Sequence, residues 1–173
     1  SLTLDEKKAV LRLCKEALKG RASLVAGVAA LTTDEACRLA ELGRAQGADG
    51  LMVLPPYVYK GDWRETRSHF AAVVSETPLP CMLYNNPIAY GTDVLPDELV
   101  ELAAALPNLL AVKEASADVR RVSAIRRSSP TTADGAPDEQ SARVGGVQRA
   151  VAWASPQAPS TTPWGIVKSH TKS

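Results

Sequence analysis

The sequence predicts an α/β fold with a parallel sheet, because short apolar strands alternate with amphipathic helices along most of the chain. A unit of one strand and one helix recurs four times, at intervals of about 27 to 30 residues, which is the length of a strand with its crossover helix. Such crossovers are right-handed and make successive strands parallel. The periodicity leaves two architectures open, an open sheet and a closed barrel.

The first part of the chain predicts a helix, a strand and a second helix. Residues 3–6, Thr-Leu-Asp-Glu, form a capping box, and Gly20 ends the apolar helical pattern that follows it. Residues 23–27 then read as a short strand. A second capping box at residues 32–35 opens a helix that ends before Gly47.

The later elements follow from the same signals. Residues 50–54 predict a strand that Pro55 and Pro56 close, because proline has no N–H to donate to the ladder. Asp62 and Glu65 cap a helix that runs to about residue 75. The remaining predicted elements are a strand at residues 81–84, a helix with Pro96 in its first turn, a strand at residues 109–113 and a helix from Asp118 to residue 127.

The strand at residues 109–113 ends in Lys113, although burying an ammonium group is costly. One explanation is that the side chain reaches solvent from the strand end. The other is that the amine is used, because a neutral lysine attacks carbonyl carbon to form a Schiff base. Tyr84 ends the preceding strand, and parallel neighbours lie about 4.8 Å apart. A phenol can move the protons that Schiff-base formation requires, so Lys113 and Tyr84 are predicted to form a catalytic pair.

Tyr84-Asn85-Asn86-Pro87 followed by Val112-Lys113-Glu114 resembles the dihydrodipicolinate synthase and N-acetylneuraminate lyase family. The resemblance covers residues 2–127 and favours the barrel, since that family folds as a (β/α)8 barrel. In the family, the lysine that matches Lys113 forms an imine with a 2-oxo acid, often pyruvate. The tyrosine that matches Tyr84 relays protons. We expect no cofactor and no metal ligand.

Measured against that family, the chain is predicted to be an incomplete (β/α)8 TIM barrel that holds strands three to six. A complete barrel needs about 250 residues, and the sequence has 173. We expect residues 1–127 to be the partial Schiff-base lyase domain of a fragment. The first two strands, with the loop that binds the substrate carboxylate, are expected to be missing. Residues 128–173, rich in Pro, Ser and Thr, are predicted to be an irregular tail that is disordered or out of frame.

Two departures from the family pattern bear on the substrate. Val58 stands where the lysine-biosynthesis enzymes carry a tyrosine that enters the neighbouring subunit's site. Ala89 stands where they carry an arginine that clamps the second substrate's carboxylate. The phrase from Tyr84 to Gly91 is similar instead to the pyrroline-hydroxycarboxylate deaminases. We expect a lyase for a 2-oxo acid or cyclic imino acid, with 1-pyrroline-4-hydroxy-2-carboxylate as first candidate. The alternative is a pyruvate-dependent aldolase of the dihydrodipicolinate synthase or sugar-acid type.

The resemblance also implies the residues that bind this substrate, which are Tyr57, Asn86, Tyr90 and Gly91. Glu114 follows the lysine and is predicted to point to the opposite face of the strand, in a structural role. The resemblance further implies a small-molecule partner and a homo-oligomer for the full-length family member. A hypothesis of another class stays open, in which the chain is an inactive fragment or a nonenzymatic binding module.

Composition bounds the remaining functions. The net charge of +1 gives no indication of binding to nucleic acid or to an anionic membrane. No apolar run reaches the ~20 residues of a membrane span. Cys14, Cys37 and Cys81 have no metal-ligand spacing and indicate a reduced, cytoplasmic protein. His69 has no acidic or cysteine neighbour at ligand spacing, and we expect a core or solvated histidine.

Overall fold

A computed structural model describes residues 2–128 and 149–152 of the chain. Within these ranges all the predicted helices and strands are present in the predicted order, with one short helix and one strand in addition. The elements are α1 (Leu4–Leu18), β1 (Val25–Val28), α2 (Thr33–Ala45), β2 (Gly50–Val53), α3 (Trp63–Ser75), β3 (Cys81–Asn85), α4 (Pro87–Tyr90), α5 (Pro96–Ala105), β4 (Leu109–Glu114), α6 (Val119–Ser128) and β5 (Arg149–Ala152).

The strands form one sheet in the order β1-β2-β3-β4-β5. The first four are parallel, as predicted, and each is joined to the next through at least one helix. β1 begins at Val25, later than predicted, while β3 and β4 each extend one residue further, to Asn85 and Glu114. Because the carboxyl ends of parallel strands meet at one edge, this sheet places Tyr84 and Lys113 at the same end.

The pairing of β3 with β4 changes register near the start of the two strands. Cys81 pairs with Leu109, but Met82 pairs with Ala111. Leu110 is therefore an extra residue on β4, in the manner of a β-bulge. Beyond this irregularity the two strands pair residue by residue to their ends.

The helix starts follow the capping signals of the sequence. Thr3 and Glu6 exchange side-chain and backbone hydrogen bonds at α1, and Asp62 and Glu65 do the same at α3. Pro96 occupies the first turn of α5. The single turn of α4 was not predicted, because a four-residue helix gives no periodic pattern.

The hydrophobic core lies between the helices and one face of the sheet. Alternate residues of β1, β2 and β3 belong to it, as do Leu109 and Val112 of β4. These residues pack against the apolar faces of α2, α3, α5 and α6. Its most deeply buried members include Val28, Leu51, Val53, Phe70, Val73, Leu83, Leu99, Leu102, Val112 and Ile125. Because side chains alternate along a strand, Tyr84 and Lys113 project from the other face, where they are available for chemistry.

Residues 149–152 form a strand that the sequence analysis missed. β5 pairs with β4 in antiparallel orientation, with Val151 opposite Val112. An uncovered strand edge offers N–H and C=O groups to any extended segment. Four residues are too few to show a strand pattern, so the pairing of this segment with β4 could not be predicted. The other residues of the predicted tail, 129–148 and 153–173, lie outside the described residues.

His69 is a buried core residue, which is one of the two environments that the sequence predicts for it. Its side chain on α3 is 4% exposed. Nδ1 lies 2.9 Å from the hydroxyl of Thr33, and Nε2 lies 3.1 Å from the carbonyl oxygen of Leu54. A neutral ring that donates from Nε2 and accepts at Nδ1 satisfies both contacts. The histidine thus links α2, α3 and the end of β2.

The buried His69 is expected to make stability depend on pH. Burial lowers the pKa of His69 below its ordinary value of 6.5, against an opposing hydrogen bond to Leu54. Between the lowered pKa and the ordinary value, the unfolded chain binds a proton that the folded chain excludes. The free energy of unfolding therefore rises with pH through this window and levels off above it.

Urea unfolding between about pH 5 and pH 8 measures this dependence, because the window lies just below the ordinary histidine pKa. In the matched variant His69→Gln, residue 69 cannot titrate. We expect the free energy of unfolding of this variant to depend less on pH. An equal slope in the two proteins would show that other groups cause it.

Candidate active site

The carboxyl ends of β3 and β4 bring Tyr84 and Lys113 together. The two residues are direct partners in the parallel pairing of the strands. Nζ of Lys113 lies 4.3 Å from the centroid of the Tyr84 ring, over its face. An ammonium in this position is attracted by the negative face of the ring. The two residues predicted to act as a pair are thus adjacent in the fold.

The pair rests on an apolar floor. Met82 and Ala111 lie one pleat below it on the same face of the sheet and are 8% and 0% exposed. Tyr84 itself is 7% exposed, and Lys113 is half-buried. Electrostatic interactions and hydrogen bonds are stronger in such surroundings than in water. A charge that develops here responds strongly to the few polar groups nearby.

Two further tyrosines extend from Tyr84 toward the surface. The ring of Tyr90 meets that of Tyr84 edge-on, with the centroids 5.8 Å apart. The centroid of Tyr57 lies 6.0 Å from that of Tyr90, and Tyr57 is 37% exposed. Burial, and then the neighbouring phenols of Tyr84 and Tyr57, raise the pKa of Tyr90 above its ordinary value. The structure thus joins four of the predicted site residues in one row.

Asn86 and Gly91, the other two predicted site residues, shape the loop that carries Tyr90. The side chain of Asn86 accepts the N–H of Ala89 at 3.1 Å, which caps α4. Its Nδ2 donates to the Tyr84 hydroxyl at 2.9 Å. Gly91 ends α4 with φ at 71°, a left-handed conformation that favours glycine. Whether either residue contacts substrate stays a prediction.

The two departures from the family pattern lie at the surface of the same region. Val58 is 54% exposed, and Ala89 is also exposed. The side chain of Lys60 lies against Gly91, where an added Cβ would come within 2.6 Å of its Cε. An exposed cation therefore lies beside the loop, although no guanidinium is present at Ala89.

A buried polar network lies on the opposite face of the same two strand ends. Asn85 and Glu114 pair in register and are 1% and 5% exposed. Nδ2 of Asn85 donates to Glu114 at 3.0 Å, and Oδ1 accepts the N–H of Val94 at 3.0 Å. Glu114 also accepts the N–H of Ser116 at 2.8 Å. The network ties the loop after β3 to the loop after β4.

Arg121 extends this network to α6. Its Nη1 lies 2.7 Å from Oδ1 of Asp93 and 4.0 Å from Oε1 of Glu114. Glu114 thus faces away from Lys113, as alternation predicts, and its contacts join the loops after the two strands. Asn85 and Arg121 were not predicted as its partners. One signal could have found Asn85, because both polar residues directly follow the predicted catalytic residues on adjacent strands.

Within residues 2–128 and 149–152, no three His, Cys, Asp or Glu side chains gather as they would to hold a metal ion. The same ranges contain no helix that is long and apolar enough to cross a membrane.

Comparison with known proteins connects this arrangement to a family. The family model described as the dihydrodipicolinate synthetase family matches residues 1–133. The 4-hydroxy-tetrahydrodipicolinate synthase of Chelativorans sp. (strain BNC1) is 42% identical over 123 residues, which are 71% of this chain and 42% of that protein. The chain thus spans less than half the length of this relative.

Solved structures agree with the sequence match. The 4-hydroxy-tetrahydrodipicolinate synthase of Methylacidiphilum fumariolicum SolV is 31% identical, with a TM-score of 0.73 over 75% of this chain and 43% of that one. The prophage protein YagE of E. coli K12, solved in complex with pyruvate, is 27% identical, with a TM-score of 0.70 over 73% of this chain and 43% of that one. The predicted fold, part of a (β/α)8 barrel, is confirmed.

Proposed function

Because the chain belongs to the dihydrodipicolinate synthetase family, we propose that Lys113 is the imine-forming amine of a lyase and that Tyr84 moves the protons of the reaction. The observation that carries the proposal is the pairing of the two residues at the ends of β3 and β4, with Nζ 4.3 Å from the ring centroid. The amine and the phenol ring are therefore neighbours at one end of the sheet, where a nucleophile and an acid–base group can act on the same substrate.

The proposed chemistry starts with attack of the neutral Lys113 amine on the carbonyl or imine carbon of the substrate. Attack on a carbonyl gives a carbinolamine, and loss of its hydroxyl as water gives the protonated imine. Tyr84 supplies a proton to the leaving oxygen and recovers it later. The imine withdraws electrons from the neighbouring carbon, so that bonds there break more easily.

The finer proposal is a deaminase that acts on a cyclic imino acid, 1-pyrroline-4-hydroxy-2-carboxylate. Lys113 would attack its C=N carbon, and hydrolysis would release ammonia and a 2-oxo acid semialdehyde. Ala89 supports this choice, because the exposed methyl group offers no bidentate clamp for the carboxylate of a second substrate. Val58 supports it as well, since valine supplies no hydroxyl to a proton relay.

A pyruvate-dependent aldolase is the second candidate. The Chelativorans relative is named a 4-hydroxy-tetrahydrodipicolinate synthase, and YagE was solved with pyruvate. Lys60 beside Gly91 could replace the missing arginine as a cation for the second substrate. Under either proposal the complete family member is expected to be a homo-oligomer. Its expected cytoplasmic location stays a prediction, as do the boundaries of the domain and the tail.

Trapping with borohydride tests the proposed function. The chain is incubated with pyruvate and borohydride, which reduces an imine to a stable amine, and is then analysed by intact mass and peptide mapping. We expect one adduct, located on Lys113. Lactate, which carries a hydroxyl group in place of the ketone, is the matched control and is expected to leave the mass unchanged.

Substrate and control results decide between the candidates. Ammonia release from the cyclic imino acid favours the deaminase, whereas condensation of pyruvate with an aldehyde favours the aldolase. A chain that is folded by circular dichroism and forms no adduct with pyruvate or the imino acid would contradict the proposal and favour a nonenzymatic module.

A further inference from the structure

Asn86 links the loop after β3 to the hydroxyl of Tyr84. It follows the buried strand β3, and its side chain accepts one hydrogen bond and donates another. One reaches the backbone of α4, and the other reaches the hydroxyl of Tyr84. The short loop after β3 is therefore connected directly to the proposed proton carrier.

The backbone determines which way the Asn86 amide points. A backbone N–H can only donate, so the group that faces Ala89 at 3.1 Å must be the amide oxygen. The amide nitrogen then faces the Tyr84 hydroxyl at 2.9 Å and can only donate. The orientation of the amide follows from the cap, and the phenol oxygen is the acceptor of this bond.

This direction has a consequence for the proton of Tyr84. An amide N–H₂ group cannot accept, so the hydroxyl proton must point away from Asn86. The donated hydrogen bond also stabilises negative charge on the phenol oxygen, more strongly than it stabilises the neutral form. Both effects favour transfer of the Tyr84 proton to a group that lies away from Asn86.

We propose that Asn86 is a positioning residue, which donates to the Tyr84 oxygen and so directs the Tyr84 proton to the reacting group on Lys113. The inference deepens the proposed function and rests on it. In the dehydration step, the Tyr84 O–H proton goes to the carbinolamine hydroxyl, the C–O bond breaks and water leaves. The nitrogen lone pair of Lys113 forms the C=N bond. The products are a protonated imine and a phenolate that keeps the Asn86 hydrogen bond.

The substitution Asn86→Asp is expected to keep one hydrogen bond of this side chain and to remove the other. A carboxylate of nearly the same shape still accepts the N–H of Ala89, so the cap of α4 is kept. It cannot donate to Tyr84 and instead attracts the hydroxyl proton to itself. We expect the rate of adduct formation with pyruvate and borohydride to fall about 10-fold to 100-fold, the range of a hydrogen bond to a charged group.

A double-mutant cycle tests whether Asn86 acts through Tyr84. In the Tyr84→Phe background there is no hydroxyl proton to direct, so Asn86→Asp is expected to have no further effect on the rate. An equal loss in both backgrounds would overturn the proposal, because the substitution would then act on the loop or on the substrate. Thermal unfolding of each variant shows whether the cap has been kept.

A spectroscopic measurement tests the hydrogen bond from Asn86 to Tyr84 independently of the proposed reaction. The intensity ratio of the tyrosine Raman doublet falls when a phenol changes from hydrogen-bond acceptor to donor. The Tyr84 contribution is obtained by subtracting the spectrum of Tyr84→Phe, and we expect its ratio to fall in Asn86→Asp. An unchanged ratio overturns the inference. If the unmodified chain forms no adduct, the proposed function fails, and the ratio still decides how Asn86 orients the phenol.

Discussion

Replacing Lys113 with arginine is expected to abolish the trapped adduct completely and to leave the fold intact. A guanidinium keeps its proton at any pH at which the protein is folded, so it has no lone pair with which to attack a carbonyl carbon. It is also a planar cation that packs well on an aromatic face, so the contact with Tyr84 is kept. Intact mass after borohydride measures the loss, and circular dichroism checks the fold.

Lys60 provides the matched control. Its exposed amine lies beside Gly91 in the same region, so a nonspecific reaction near the site would also label it. Lys60→Arg is expected to form the adduct as the unmodified chain does. An adduct that persists in Lys113→Arg and disappears in Lys60→Arg would show that Lys60 is the reactive lysine and would refute the assignment to Lys113.

Replacing Tyr84 with phenylalanine is expected to slow adduct formation by about 10² to 10⁴, the usual contribution of a positioned acid–base group. The substitution removes the hydroxyl, together with the hydrogen bond that it accepts from Asn86. The ring is kept, and so are the cation contact with Lys113 and the edge-on contact with Tyr90. The loss is therefore attributed to proton transfer, and a quenched time course by mass spectrometry measures it.

Tyr59→Phe is the control for this substitution. Tyr59 lies in the loop after β2 and is 52% exposed, and it does not belong to the row of Tyr57, Tyr90 and Tyr84. We expect its loss to leave the rate within about twofold of the original, as for surface substitutions away from a site. Equal rates in Tyr84→Phe and the unmodified chain would show that water or another group supplies the protons.

The location of Tyr84 and Lys113 at the same edge of the sheet could be predicted because it depends only on strand order. Two apolar runs that end in polar residues, one crossover apart, must bring those residues to the same edge of a parallel sheet. Caps at Thr3 and Asp62 could be predicted for a similar reason, because each bond spans only three residues.

The polar network around Glu114 could not be predicted, because its partners come from three separate segments. Arg121, Asp93 and Asn85 meet only once the loops after β3 and β4 have folded. The hydrogen bond from Asn86 to Tyr84 was missed for another reason. An asparagine before a proline looks like a turn residue, and its contact depends on the rotamers of both side chains.

The irregularity at Leu110 sets the phase of β4 against β3, and the position of the amine depends on it. If Leu110 paired with Met82 in a regular ladder, Val112 would stand beside Tyr84, and Lys113 would stand beside Asn85. The amine would then enter the compartment between sheet and helices, and the carboxylate of Glu114 would move to the open face. Loss of the bulge in a strand of unchanged length would thus exchange the two sides of β4, whereas deletion of Leu110 itself would leave Lys113 opposite Tyr84.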